Sequence, residues 1–164
     1  LLRVRPTYLA VVGGFEFKQP PPDLTPWSIF KEKIPASYDA AQITVAALQD
    51  RNDITLVDLD TRDSMYAVEH LYMVENYNPT NRNERFILRS FEVTHLVAGT
   101  ISRTKEGAEC TISLQKITDQ WDVETVKSGN ATFKSDSRGA LQDAVRSSLR
   151  TIFGTINEPQ APSR

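Results

Sequence analysis

The chain has 164 residues, 40% hydrophobic and 24% charged, a composition that suits one soluble globular domain with a single core. A net charge of −2 gives no electrostatic ground for nucleic acid or an anionic membrane as the main partner. One cysteine, Cys110, excludes an internal disulfide and a thiolate zinc cage, and no apolar run approaches the ~18 residues needed to span a bilayer.

The opening "LLRVRP" lacks a signal-peptide pattern and an initial Met. Residues 1–6 therefore read as the tail of a mature or trimmed product, with any targeting segment out of view. "TYLAVVGGFEF" (7–17) is rich in β-formers, and Gly13-Gly14 predicts a bulge or a close backbone approach. The stretch "KQPPPDLTPW" predicts a stiff extended loop. Beyond it, Ile34, Tyr38, Ala41, Val45 and Leu48 recur at spacings of four and three, the stripe of an amphipathic helix.

"ITLVDLD" (54–60) predicts a strand, and Thr61 an N-cap for a helix through "RDSMYAVEHLYMV". "ENYNPTNRNER" predicts a polar loop and "RFILRSFEV" a short helix. "THLVAGTIS" predicts a strand, with Lys105-Glu106-Gly107 turning it into a partner whose Ala108, Cys110, Ile112 and Leu114 share one apolar face. "WDVETVKSGNATFK" predicts a further strand, bulged near Ser128-Gly129. Leu141, Val145, Leu149, Ile152 and Ile156 mark a closing helix. The expected fold is α/β: a mixed sheet in the order β-α-β-α-β-β-β-α with helices packed on it. One domain would cover residues 7–156, with a C-terminal tail over 157–164.

Little here points to catalysis. His70 and His95 have no HExxH spacing and read as packing or surface residues. Cys110, on an apolar strand face, reads as a small core residue. Gly13-Gly14 lacks a dinucleotide or Walker pattern, no GxSxG elbow exists, and "KSG" has no SxxK companion. Asp58, Asp60 and Asp63 lie together near a strand end, where α/β proteins bind ligands. They carry the alternative reading, a small ligand- or metal-binding enzyme domain, against the plainer one of acidic residues at a helix start. Interaction residues are sought instead in two loops. Trp27 and Phe30 follow the proline segment, and Tyr77, Arg82 and Arg85 line the Asn/Arg loop.

The order of motifs resembles the group formed by CsgG, LpoB and the TolB amino-terminal domain. "LAVVGGF" stands for its "AVxxF"-like first strand, "LVDLD" for its "VVDR"-like step and "VTHLVAGTI" for its "ADYLVTGSI"-like strand before a hairpin. "KITDQWDVET" approximates its "VDxxTGE"-like segment. The resemblance covers most of residues 7–156. It implies a non-enzymatic domain of a bacterial envelope assembly, such as a secretion pore, a flagellar accessory ring or a wall-synthase activator. It further implies a periplasmic or outer-membrane-associated location and no cofactor. The implied partners are other envelope proteins or further copies of the chain, with membrane contact only through an anchor or partner not seen in the sequence.

Overall fold

The structure, a computed structural model, describes residues 8–68 and 82–158. Its elements run β1 (Tyr8–Phe17), α1 (Ser28–Lys31), α2 (Lys33–Leu48), β2 (Ile54–Leu56), α3 (Leu59–Val68), α4 (Arg82–Ser90), β3 (His95–Thr104), β4 (Gly107–Ile117), β5 (Val123–Phe133) and α5 (Arg138–Phe153). The five strands form one sheet in the order β2-β1-β3-β4-β5. β1 pairs in parallel with β2 and β3, whereas β3, β4 and β5 form an antiparallel meander. The mixed sheet follows from the connections. Helical crossovers return the early strands in parallel, and the two-residue turn between Thr104 and Gly107 forces the later ones antiparallel.

Helices cover both faces of the sheet. On one, α2 and α5 bury the main core with Val12, Phe15, Val97, Ile112 and Leu149. On the other, α3 and α4 close a smaller cluster in which Tyr66 and Leu88 meet Val11, Leu96 and Ile117. The apolar face of β4 is as its alternation predicts: Ala108, Cys110, Ile112 and Leu114 are all buried.

Gly13-Gly14 is a bulge, with one extra β1 residue between the Val12–Val97 and Phe15–Gly99 pairs. A bulge takes main-chain groups out of the ladder, and each buried one needs another partner. The Phe15 N–H donates to Ser37 Oγ at 2.8 Å, and the Val12 carbonyl accepts from Arg62 Nη1 at 2.7 Å. A buried arginine, with no exposed surface, is thus explained by a break in strand pairing.

Several boundaries differ from expectation. β2 stops at Leu56, because α3 already begins at Leu59. Asp58, not Thr61, caps that helix: its Oδ1 accepts the Thr61 N–H at 2.7 Å. Ile34 is 42% exposed, since α2 buries Ala36, Ser37, Ala40, Ala41, Thr44, Ala47 and Leu48 instead. Small side chains there let the helix lie close to the sheet. α4 starts at Arg82, inside the stretch expected to be a loop. The β5 bulge lies at Val126, between the Leu114–Lys127 and Gln115–Thr125 pairs, not at Ser128-Gly129. Gly129 has another duty, because a Cβ there would stand 2.5 Å from the Ser148 carbonyl oxygen of α5. Asn157, placed in the tail by sequence, is bonded to α2 through its N–H to the Ala47 carbonyl and its amide to the Gln49 carbonyl.

Candidate functional site

The residues singled out by sequence do not assemble into one site. Trp27 does not stand out from its loop. It is only 8% exposed, lying 5.8 Å from the Phe133 ring with the Arg103 guanidinium 4.4 Å above its own. The loop behind it is clamped down, for Arg103 Nε donates to the Thr25 carbonyl and the Asp136 carboxylate accepts the N–H groups of Ser28 and Ile29. Phe30 is half-buried, edge-on to Phe17 at 5.5 Å. Tyr77 lies outside the described residues, and Arg82 opens α4. Arg85 sits in a surface that looks outward.

The three aspartates have separate tasks. The Asp58 carboxyl is held below its usual range by the hydrogen bond from the Thr61 backbone. Asp60 is exposed, and its carbonyl accepts from Ser64 Oγ. Asp63 pairs with the guanidinium of Arg62 at 3.0 Å. Asp58 and Asp60 border a shallow cleft of about 310 Å³ beside α2, and Asp63 does not. Among the described residues, no three His, Cys, Asp or Glu side chains are placed to hold a metal ion. His95 is buried on β3 with its Nδ1 2.8 Å from Thr94 Oγ1, and desolvation, then Lys116, lowers its pKa. His70 lies outside the described residues. Burial raises the Cys110 thiol to about 12, which makes it inert.

The surface with the character of a contact site is built by α4 and the β4–β5 turn. "FIL" (86–88) puts three consecutive apolar residues on a helix, and one face cannot bury them all. Ile87 and Leu88 turn inward, leaving Phe86 45% exposed and Phe91, just past the helix, 40% exposed. Trp121, in the turn, meets Phe86 edge to face at 5.0 Å. It adopts a left-handed φ of 62°, an uncommon conformation for so bulky a residue. Two arginines tie helix and turn together. Arg85 Nε donates to the Trp121 carbonyl at 2.6 Å, and Arg89 pairs with Asp119 at 2.8 Å. The outcome is a preorganised aromatic patch rimmed by charge.

Glu84 anchors this helix from below. It is fully buried, and its Oε1 accepts the Tyr66 hydroxyl at 2.5 Å while Oε2 has no hydrogen-bond partner among the described residues. Desolvation raises its pKa to about 7, against the opposing effects of the Tyr66 hydrogen bond and the Arg62 and Arg85 charges. Sequence reading missed both features. The patch had a visible signal in the three adjacent apolar residues, whereas the burial of Glu84 had none.

No protein-family model and no curated protein matches the chain. Among solved structures it is similar to the LpoB C-terminal domain from Salmonella enterica, with 12% identity over 80% of this chain and 86% of that one, and a TM-score of 0.48. The LpoB C-terminal domain from Escherichia coli is similar at 13% identity over 75% and 79%, with a TM-score of 0.46. The hypothetical protein CT253 from Chlamydia trachomatis follows at 12% identity over 90% and 87%, with a TM-score of 0.35. CsgG and TolB are not among these three. These are likenesses of chain path alone.

Proposed function

We propose that the chain is a non-catalytic protein-binding or assembly domain of a bacterial cell-envelope complex, of the secretion-pore, accessory-ring or wall-synthase-activator kind. The observation that carries this reading is the Phe86–Trp121 patch with Arg85 and Arg89 tying it to the turn. Aromatic and arginine side chains are enriched in protein interfaces and dominate their hot spots. Here they are held in place before any partner arrives, which lowers the ordering cost of binding. The order of the strand and hairpin motifs supports the envelope setting, and with it a periplasmic or outer-membrane-associated location. Among the described residues, no helix is long and apolar enough to cross a membrane.

The test is site-specific photocrosslinking in cells. A photoreactive phenylalanine at position 86 should capture one envelope protein, or a second copy of the chain, in a discrete adduct. The same group at exposed Lys33, at the start of α2 on the other face of the sheet, should not give that adduct. Identical adducts from both positions, or none from position 86, would remove the patch as the interface.

A further inference from the structure

A second contact surface starts two residues beyond Trp121. β5 ends the sheet order, so among the described residues one edge of its 11 residues pairs with no strand. Such an edge offers alternate N–H and C=O groups for a further strand. α5 covers Gly129, but every residue from Glu124 to Ser128 is exposed.

This uncovered half borders a cavity of about 550 Å³ between the C-terminal end of α5 and the start of β2. Its lining is mixed: Arg51, Asp53, Arg150 and Thr151 face Leu114, Ile152 and Phe153, and Val126, thrown out by the bulge, adds the most exposed apolar side chain at 46%. Its rim is cationic. Arg51 is engaged by Asp53 and two main-chain carbonyls, and Arg150 by Glu158. Lys127 has no ion pair among the described residues and is exposed.

We propose that residues 123–128 of β5 accept an extended segment of a partner protein as a sixth strand, with an apolar side chain in the cavity and an acidic one on Lys127. Residues i and i+2 of a strand share a face, so the expected ligand carries an apolar residue two positions from Asp or Glu. Main-chain pairing supplies affinity, and the cavity and the lysine supply selectivity. Glu124, Lys127 and the bulge also guard the edge against indiscriminate pairing. The inference rests on the reading of the chain as a protein-binding domain and extends its surface beyond the aromatic patch.

The test is selection from a displayed library of random nine-residue linear peptides on the whole chain, followed by amide NMR mapping of the enriched peptides. Peptides with the apolar–x–acidic pattern should be enriched and perturb residues 123–128 and the end of α5. Methylating alternate peptide-backbone nitrogens should weaken them at least about tenfold, since it blocks strand pairing. Lys127→Glu should weaken them about five- to tenfold, and Phe86→Ala should leave them unchanged. Enrichment of no such peptide, or indifference to both backbone methylation and Lys127→Glu, overturns the proposal. Peptides lost in Phe86→Ala alone would assign the binding to the aromatic patch, so that the strand-addition proposal falls while the protein-binding reading stands. A dimer of the native chain abolished by Lys127→Glu would make the occupant a second copy, and that too overturns it.

Discussion

Trp27 shows how a single side chain is assigned by its neighbours. A tryptophan behind three prolines looks like an interface anchor, but Phe133 and Arg103 enclose its ring. Trp27→Ala is therefore expected to cost about 3–5 kcal/mol in a denaturant titration, the range for emptying a large core aromatic. Glu84 gives a second prediction at this scale. Its folded pKa of about 7 lies above the ordinary glutamate value of 4.5, so between these values the folded state holds more proton than the unfolded one. Its contribution is most favourable below about 4.5 and is lost as pH rises through 7, by roughly 1–3 kcal/mol for a fully buried carboxyl. Glu84→Gln should flatten the stability profile over that window, read as melting temperature against pH. An unchanged profile would show that another group titrates there.

At the scale of elements, helix-to-sheet distance is set by small residues. α5 crosses β5 at Gly129 and Ser148, and the Ser148 hydroxyl donates back to the Ala144 carbonyl at 2.9 Å. Gly129→Ala would drive a methyl group into the helix backbone, so α5 must move. Overpacking of this kind costs about 1–3 kcal/mol, and amide exchange in α5 should accelerate with it. The same principle explains where the apolar stripe of α2 departs from its buried face. Ala41 and Leu48 of the stripe are buried and Tyr38 and Val45 pack against the core, but the rest of the buried face is alanine, serine and threonine, so a size-weighted pattern also picks the exposed Ile34. By contrast β4 was legible from Ala108 to Leu114, because period-two alternation with one face fully buried leaves no second register. α5 was legible for a similar reason, with Leu141, Val145, Leu149 and Ile152 all buried, although Ile156, expected on the same helix, lies buried beyond its end at Phe153.

For the whole molecule, sequence disclosed the mixed sheet and its helical cover but little of the surface. Arg62 is buried because of a carbonyl freed 50 positions earlier by a bulge, and no local pattern announces such a debt. Trp121 meets Phe86 because β4 ends beside α4, a consequence of topology alone. The aspartates, close in sequence, proved to be a cap, a surface residue and an ion-pair partner. The quantity on which the proposed function turns is binding through the α4 and turn surface. Its most direct measurement is the affinity of the partner captured at position 86, by calorimetry, for the native chain and for Phe86→Ala, with thermal unfolding of both. The prediction is an affinity loss of at least about tenfold, or 1.4 kcal/mol, with little change in melting temperature, because the ring is half-exposed. Unchanged affinity in a normally folded variant would contradict the claim.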